Sequence, residues 1–485
     1  MNPFYILRLS AIIQVVVSAF MIIPAGIAAS AGEMLEFYSF LGTILLVWIF
    51  ASVYILVTRR APNRVLSSRD GFFFVTSSWI LAAGFGAIPM WISGTIPSYT
   101  DAYFEIMSGF TTTGASILTD IEALPRSILF WRSLTHWLGG MGIVVLVVAL
   151  IPLLGAGGTK LVGAESPGPS VDKFTPKIRN NALILWLIYL GLSVIEIILL
   201  MLGGMDLFDA STHTFGTMAT GGFSPKAASV GHYNSAYIDA IITIFMVLAG
   251  CNFALYYKAM SGKLRDVFRD GEFRAYLGIF FIVAILISIN LMLKGDGYDT
   301  PGRAFRYASF QTATIITTTG YATCDFELWP NFSKVLLFFL MFIGGCSGST
   351  GGGIKVIRIV TVAKLALNNI KYMLHPRGVF SLKVGNTQIR KEVVYTIAGF
   401  FGLYIFTILF STIVVSTCGT DIETSLTTAL VTVGNIGPGF GKIGPTENYF
   451  FFPGYIKWFL SLAMMAGRLE LFTVFALLTP QFWRK

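Results

Sequence analysis

Ten long apolar segments alternate with polar connections along the chain. Each segment provides about 20 residues, the length that a helix needs to cross the ~30 Å hydrocarbon core of a bilayer. The pattern therefore predicts an all-α integral membrane protein with ten transmembrane helices. The segments cover residues 5–29, 38–57, 72–92, 133–154, 182–202, 237–257, 275–293, 335–362 with a Gly-rich break, 393–415 and 456–479.

The composition supports a membrane protein and excludes the other broad classes. Hydrophobic residues make up 55% of the 485-residue chain and charged residues 12%, whereas soluble domains carry about 25% charged residues. So little charge cannot cover the surface of a soluble globule, and the high apolar content excludes a disordered or fibrous chain. The cysteines are too few and too scattered for a disulfide framework. They are Cys251, Cys324, Cys346 and Cys418.

The net charge of +9 reflects the orientation of the chain in the membrane. With a cytoplasmic N-terminus, 24 of the 34 Lys and Arg residues are assigned to the cytoplasmic side and nine to the opposite side, while Arg468, in the interior of a predicted span, is assigned to neither. Basic residues of membrane proteins concentrate on the cytoplasmic side. The N-terminus is therefore predicted to be cytoplasmic, and the basicity does not indicate binding to nucleic acid.

The first apolar segment has a second interpretation. Arg8, the apolar run and the small residues Ala29-Ser30-Ala31 are also typical of a cleaved signal peptide. Charge counting does not separate the two, because both leave residue 38 outside the membrane. We favour a retained first span, since the run is long for a signal peptide.

The chain contains four copies of one unit. In each copy a span is followed by a half-length segment of about 10–14 residues, too short to cross a bilayer, then by a Thr-rich loop that reaches a glycine, and then by a second span with a small-residue break. The loops are FTTTGAS at 110–116, TMATGGFS at 217–224, ITTTGYA at 316–322 and VTVGNIG at 431–437, with the glycines Gly114, Gly221, Gly320 and Gly434 and breaks at 139–142, 249–252, 344–347 and 466–469.

The half-length segments are predicted to be re-entrant, because they are also too polar to face lipid. Since each unit holds an even number of full spans, all four units share one orientation and can surround an axis along the membrane normal, unlike inverted repeats. The arrangement is a pseudo-fourfold pore with two extra N-terminal helices. The predicted divisions are the N-terminal extension 1–68, pore repeats 69–155, 180–260, 261–368 and 390–485, and cytoplasmic linkers 156–179 and 369–389.

Four glycine-containing loops on one axis are suited to binding a cation. Glycine adopts positive φ at little cost, so such a loop can turn carbonyl oxygens toward the axis. Those oxygens can replace the hydration shell of an alkali cation. The half-helices would also direct their negative C-terminal ends at the membrane centre, which stabilises a cation there.

This fourfold unit of span, pore helix and span, with one glycine per loop, resembles the Trk/Ktr/HKT superfamily of potassium transporters. The resemblance covers the whole chain, and the two extra N-terminal spans make it closest to the membrane subunits of bacterial Trk systems. It implies potassium uptake through a channel-like pore in the bacterial inner membrane, with symport coupled to proton or sodium movement as the alternative. It also implies a homodimer, no covalent cofactor, acceptance of Rb⁺, and a cytoplasmic nucleotide-binding ring, TrkA, that carries the nucleotide.

The resemblance assigns the selectivity filter and its bound K⁺ to the four Thr-Gly loops. In plant relatives a serine at the first filter glycine accompanies sodium preference, so Gly114 favours potassium. The fourth loop departs from the pattern, because Val433 stands where the others have Thr and Asn435 follows the glycine. The predicted filter residues are Thr112, Thr113, Gly114, Ala219, Thr220, Gly221, Thr318, Thr319, Gly320, Thr432, Val433, Gly434 and Asn435.

The break in the third repeat is a candidate gate. Each interior glycine costs a helix about 1 kcal/mol relative to alanine, so the stretch 344–353 is expected to unwind within the membrane. A close helix crossing through small residues is the alternative. The resemblance implies a movable barrier there with Arg468 beside it, whereas Arg468 could instead cap free carbonyls. The predicted gate residues are Gly345, Cys346, Ser347, Gly348, Ser349, Thr350, Gly351, Gly352, Gly353 and Arg468.

Other residue patterns predict no catalysis. The four histidines show no metal-ligand spacing and no Ser, His and acid set is recognisable, so an enzyme is not expected. The basic stretch 355–391 is a candidate contact for the regulatory ring or for anionic membrane lipid, and topology explains it equally well. Acidic residues near the starts of the half-helices either cap them or concentrate cations at the mouth. These are Asp101, Glu105, Asp209, Asp421 and Glu423.

Overall fold

The computed structural model describes residues 3–58, 67–142, 178–378, 381–385, 387–389 and 391–484. Six of its helices are long and apolar enough to cross a membrane, and a helix pair bent by 95° is a seventh such element. These account for seven of the predicted spans. The spans predicted at 133–154, 335–362 and 456–479 contain shorter helices that end at a break. The second half of the first of these, and nearly all of the linker 156–179, lie outside the described residues.

The N-terminal extension packs against the first repeat. Its helices are Pro3–Ala19, Ile22–Ala31 and Met34–Thr58, and the first two together form one span. Gln14 donates from Nε2 to the Ser78 carbonyl at 3.0 Å, and the Ser10 and Ser77 hydroxyls lie 3.2 Å apart. The extension therefore stands outside the four repeats, as the sequence predicts.

Each repeat begins with a long helix and continues into a half-helix. The half-helices contain 12, 13, 16 and 13 residues, so at 1.5 Å per residue they are only about 18–24 Å long and cannot cross a bilayer. The long helices are Ser68–Ile92, Ile178–Leu202, Gly271–Lys294 and Lys391–Ser416. The half-helices are Tyr99–Phe110, Leu207–Ala219, Pro301–Ile316 and Ile422–Gly434.

All four half-helices begin in the same way. The residue before each helix is Ser98, Asp206, Thr300 or Asp421, and its side-chain oxygen accepts a hydrogen bond from the backbone N–H three residues later. Such a cap satisfies one of the N–H groups that a helix start leaves unpaired. Short polar residues at equivalent places thus fix where each half-helix begins.

The helix that follows each half-helix ends at the predicted break, and we call it, with any further described segment, the broken helix of its repeat. In the second, third and fourth repeats another helix follows the break, whereas residues 143–154 of the first repeat lie outside the described residues. The segments are Arg126–Gly140 in the first repeat, Ala236–Ala249 and Phe253–Met260 in the second, Asn331–Leu340 and Val356–Leu374 in the third, and Gly454–Arg468 and Phe472–Leu478 in the fourth.

The remaining described elements are short. The antiparallel strands Lys383–Val384 and Thr387–Gln388 form a small hairpin beside the third repeat's last helix. Two short α-helices and three 3-10 helices complete the described fold. They are Leu264–Arg269, Pro480–Trp483, Ser229–Tyr233, Phe326–Leu328 and Gly441–Ile443.

The interior is polar at its centre and apolar toward the outside. The second half of each half-helix is almost wholly buried, and in the second, third and fourth repeats it is rich in Thr, whereas the long helices carry exposed apolar side chains such as Leu187, Ile282 and Ile413. Exposed apolar helices suit lipid, and a polar interior is tolerated in a membrane only where it lines a pathway or is internally paired. The half-helices therefore lie around the functional centre.

Candidate ion pathway

The four half-helices end in one shared backbone pattern. A non-glycine residue with positive φ follows each helix: Thr112, Thr220, Thr318 and Asn435, at 52°, 54°, 60° and 55°. The N–H of the next residue then bonds back to the carbonyl five residues earlier. These bonds run from Thr113 to Ser108, Gly221 to Gly216, Thr319 to Thr314 and Ile436 to Val431, at 2.9, 2.8, 2.8 and 2.8 Å.

A glycine with positive φ stands two residues after each of these turns. The glycines are Gly114, Gly222, Gly320 and Gly437, with φ of 80°, 84°, 82° and 94°. Side chains other than glycine rarely adopt this conformation. We call the four three-residue segments 112–114, 220–222, 318–320 and 435–437 the filter loops.

The filter loops close into a ring. A Cβ added to Gly114 would lie within 3.0 Å of the Gly221 carbonyl oxygen, and the same holds for each later glycine and the next loop. The fourth glycine returns to the first loop, so the loops surround a common axis in chain order. The glycine and carbonyl pairs are Gly114 with Gly221, Gly222 with Thr319, Gly320 with Ile436, and Gly437 with Thr113.

Four equivalent carbonyl groups stand at this ring. They belong to Thr113, Gly221, Thr319 and Ile436, and no donor among the described residues forms a hydrogen bond with any of them. A buried carbonyl without a donor is rare and costs free energy. All four left-handed glycines also line one cavity of about 140 Å³. A ring of free carbonyls at the end of a cavity can coordinate a dehydrated cation.

This geometry corrects the register predicted from the sequence in two loops. Gly114 and Gly320 occupy the left-handed position, but in the second loop that position is Gly222, one residue after Gly221, and in the fourth it is Gly437, three residues after Gly434. Gly434 is the last residue of its half-helix. Ala219, Thr432 and Val433 likewise belong to the last turns of half-helices, whereas the other predicted filter residues lie in the filter loops.

Gly222, Ile436 and Gly437 lie in the filter loops but are not among the filter residues predicted from the sequence. A signal for them exists, because each left-handed glycine is followed two residues later by a small residue. These small residues are Ser116, Ser224, Ala322 and Gly439. The Thr-Gly pattern instead points to Gly221, the first of two adjacent glycines, and to Gly434, the last residue of its half-helix.

Asn435 ties the fourth filter loop to its neighbours. It occupies the place held by threonine in the other three loops, and its Nδ2 donates to Oγ1 of Thr113 and to the Met464 carbonyl, both at 2.9 Å. The fourth loop therefore differs from the other three by having Asn in place of Thr at the same backbone position. Its amide joins loops four and one with the fourth broken helix.

The predicted gate segment is an unwound loop between Leu340 and Val356. Glu272 accepts hydrogen bonds from the N–H groups of Ser347 and Ile357 at 2.7 and 3.0 Å, so one carboxylate connects the middle of the loop to the start of the next helix. A backbone bridge between Ile343 and Ile354 closes its base. The helix is therefore unwound at this break, and it does not continue through it as a close helix crossing would require.

The tip of this loop contacts the third filter loop and the end of the fourth half-helix. The Gly352 N–H donates to Oγ1 of Thr318 at 2.7 Å, and a Cβ on Gly352 would collide with the Gly434 carbonyl. The single hydroxyl proton of Thr350 is shared between the carbonyls of Met218 and Ala249, which lie 3.0 and 3.2 Å from Oγ1. The loop is thus anchored to the second, third and fourth repeats at the base of the ring.

Arg468 joins the breaks of three repeats. Its Nη1 donates to the Thr350 carbonyl at 2.6 Å, and its Nη2 donates to the carbonyls of Gly139 and Gly140 at 2.8 and 2.9 Å. Both interpretations of this residue agree with the geometry, since the guanidinium lies beside the loop and also caps carbonyls. Glu470 pairs with Arg358.

Most acidic residues at the outer mouth are already engaged. Asp421 caps its half-helix, and hydrogen bonds from the Thr424 N–H and hydroxyl lower the pKa of its carboxyl below the usual value. Asp101 pairs with Lys457 at 2.6 Å, Glu105 with Arg132 at 2.6 Å and Asp209 with Lys226 at 3.6 Å. These carboxylates therefore serve in a helix cap or in ion pairs. No group of three or more His, Cys, Asp or Glu side chains among the described residues could hold a metal ion.

Comparison with known proteins agrees with this architecture. A family model described as TrkH, cation transport protein, matches residues 39–484. The chain belongs to the TrkH family. The fold is therefore that of a multi-pass membrane transport protein, and the family is not a family of enzymes.

Several curated relatives of this TrkH-family chain are potassium uptake proteins. The Trk system potassium uptake protein TrkH of Escherichia coli (strain K12) is 40% identical over 431 residues, 87% of this chain and 89% of that protein. TrkI of Halomonas elongata is 33% identical over 482 residues, 99% and 97% of the two chains. The crystal structure of the potassium transporter TrkH from Vibrio parahaemolyticus matches with a TM-score of 0.88 and 36% identity over 100% of both chains.

Proposed function

We propose that this chain is the membrane subunit of a Trk system and takes up potassium through a channel-like pore in the bacterial inner membrane. The observation that carries the proposal is the closed ring of four filter loops, whose free carbonyl groups lie at the end of a cavity lined by all four left-handed glycines. Carbonyl oxygens at such a ring replace the water around K⁺. Rb⁺, which is close in size, binds in the same way.

The half-helices contribute to the same site. Each ends at a filter loop, so the negative end of its dipole faces the ring. The four dipoles stabilise a cation where the surrounding hydrocarbon would exclude it. The filter is short, because each loop supplies one left-handed glycine rather than a long run of stacked carbonyl groups.

The unwound loop 344–353 and Arg468 form the gate in this proposal. The loop lies at the base of the ring, and hydrogen bonds from Thr350 and Gly352 hold it there. The positive charge of Arg468, bonded to the Thr350 carbonyl, opposes the passage of cations through the same level. Flow then requires the loop to leave these contacts.

The assembly completes the proposal. The names of the curated relatives refer to a Trk system, and we infer a homodimer with a cytoplasmic nucleotide-binding ring, TrkA, that moves the gate. The nucleotide binds to that ring, and this chain carries no covalent cofactor. The N-terminus is cytoplasmic, in line with the distribution of Lys and Arg along the chain.

Uptake of rubidium-86 into potassium-loaded proteoliposomes tests the proposal. External K⁺ should block uptake far better than Na⁺, and Gly114→Ser should remove this preference, since its Cβ collides with the Gly221 carbonyl. Gly94→Ser is the matched control, because Gly94 has a similar φ of 72° but no atom within 4 Å of an added Cβ. Equal block by K⁺ and Na⁺ in the wild type, with or without the regulatory ring, would refute the potassium filter.

A further inference from the structure

A buried ion pair stands behind the first two filter loops. Nε of Arg132 lies 2.6 Å from Oε1 of Glu105, and their side chains are 2% and 0% exposed. Glu105 lies on the first half-helix and Arg132 on the first broken helix. Burying two charges is costly unless further hydrogen bonds satisfy both groups. The partners of the pair therefore show what it holds in place.

Glu105 fixes the outer part of the first loop. Its Oε1 accepts a hydrogen bond from the Ser116 hydroxyl at 2.9 Å, and its Oε2 accepts one from the Ile117 N–H at 2.9 Å. Ser116 follows Gly114 by two residues. The carboxylate thus holds the chain where it leaves the ring.

Arg132 fixes the equivalent part of the second loop. Its Nη1 donates to the Ser224 carbonyl at 3.0 Å, and its guanidinium carbon lies 3.6 Å from the centre of the Phe223 ring. Phe223 and Ser224 directly follow Gly222. Because Arg132 also bonds to Glu105, one planar guanidinium connects the exits of loops one and two.

Uncharged donors connect the loops at the two adjoining boundaries. The Tyr321 hydroxyl, directly after the third loop, shares its proton between the His213 and Phe223 carbonyls, at 2.8 and 3.2 Å. The Tyr449 hydroxyl and N–H donate to the Gly437 and Ser116 carbonyls at 2.6 and 2.8 Å, which joins loops four and one. The charged bridge at Arg132 belongs to the same belt of contacts around the ring, and hydrogen bonds from a charged donor are in general stronger than neutral ones.

We propose that Arg132 is a positioning residue for ion selectivity, holding filter loops one and two at the separation that fits the larger alkali cations. This inference rests on the proposed function of the ring. A guanidinium has a rigid fork that reaches Glu105 and Ser224 together, whereas a lysine ammonium is a single flexible point. Without the Arg132 guanidinium, filter loops one and two can approach each other, and the narrower ring then accommodates Na⁺.

Rubidium-86 uptake into proteoliposomes measures this effect as a ratio. For each variant, the half-inhibitory concentration of external Na⁺ is divided by that of K⁺. Arg132→Lys keeps the charge and should lower the ratio about tenfold, the effect of losing one hydrogen bond from a charged group. Arg126→Lys lies on the same helix with a side chain 65% exposed, and should leave the ratio unchanged. The ratio does not depend on how much protein is folded, so a change in stability alone does not move it.

The double variant Glu105→Gln with Arg132→Gln separates positioning from stability. Removing both charges avoids an unpaired buried charge, so the thermal stability lost in Glu105→Gln alone should return. The lowered ratio should remain, because a glutamine side chain in place of Arg132 is too short to bridge both loops. A normal ratio in Arg132→Lys, or a ratio that recovers together with stability, would overturn the inference. A wild type without preference for K⁺ would instead overturn the proposed function.

Discussion

The four left-handed glycines meet two separate demands. Each adopts a φ that disfavours a side chain, and each lies against a carbonyl of the next loop. Any Cβ at these positions would therefore strain its own backbone and displace a carbonyl of the ring. At the residue scale, the position of a glycine relative to the end of its half-helix decides its importance, and adjacent glycines differ sharply.

Gly437 and Gly434 test this distinction within one loop. Gly437→Ala should reduce the preference of rubidium-86 uptake for K⁺ over Na⁺ by tenfold or more, roughly the effect of 1.4 kcal/mol, because its Cβ meets the Thr113 carbonyl. Gly434→Ala should keep the preference, since its Cβ would contact only side-chain atoms at 3.2–3.5 Å. Equal effects of the two variants would contradict the assignment of Gly437, rather than Gly434, as the filter glycine of the fourth loop.

The broken helices act together at the element scale. The loop of the third repeat contacts the break of the second, because Cys346 donates from its N–H to the Gly250 carbonyl at 2.8 Å. Arg468 connects the same loop with the first and fourth repeats. All four breaks therefore meet at one level, and a movement of the loop changes contacts in every repeat.

Removing the anchor of the loop should open the pathway. Thr350→Val preserves the shape of the side chain but loses the hydrogen bonds to the Met218 and Ala249 carbonyls. We expect rubidium-86 uptake without the regulatory ring to rise several-fold, since such a shared hydrogen bond contributes about 1 kcal/mol to the closed loop. Thr350→Ser keeps the hydroxyl and should behave like the wild type. An unchanged rate in Thr350→Val would show that this anchor does not limit flow.

Arg468 should contribute through both its charge and its fork. Arg468→Ala removes the charge and three hydrogen bonds to carbonyls, so uptake should rise by at least as much as in Thr350→Val. Arg468→Lys keeps the charge but not the fork, and an intermediate rate is expected. The initial rates of the three proteins in proteoliposomes of equal protein content provide the comparison. The electrostatic part of the barrier is disproved if Lys and Ala give the same rate.

At the scale of the whole molecule, four units in one orientation surround one axis. The exposed apolar faces of the long helices suit lipid, while the buried half-helices fill the centre. The filter loops and the loop 344–353 lie around this axis within one continuous interior. Such a fold has no inverted halves that would alternate, which is the whole-molecule argument for the proposed channel-like pathway.

The reversal potential distinguishes the two transport modes. For a channel-like pathway, current through the reconstituted protein should reverse at the equilibrium potential of K⁺ whatever the gradients of Na⁺ and H⁺. Imposing a tenfold gradient of either second ion is the measurement, and liposomes without protein are the control. For a symporter the reversal potential would shift with the second gradient, since the ions would move in a fixed ratio.

The sequence by itself determined the class of protein, the fourfold repeat and the approximate place of each loop and break. These follow from local properties, because apolar length, helix-capping residues and glycine runs act over a few neighbouring residues. It also placed Thr112, Gly114 and Gly320 in the filter loops and Arg468 at a break. A resemblance to the Trk/Ktr/HKT superfamily then indicated the function.

Only the tertiary structure decided the register of the second and fourth filter loops and the partners of the buried charges. Gly221 and Gly222 are adjacent in the sequence. Only Gly222 has a left-handed φ, and it lies against the Thr319 carbonyl, 97 residues further along the chain. Likewise, the bridge from Glu105 through Arg132 to Ser224 joins three elements that no local pattern connects. Contacts between distant segments depend on how the repeats close around the axis. Local sequence patterns extend over only a few residues, so they do not specify these contacts.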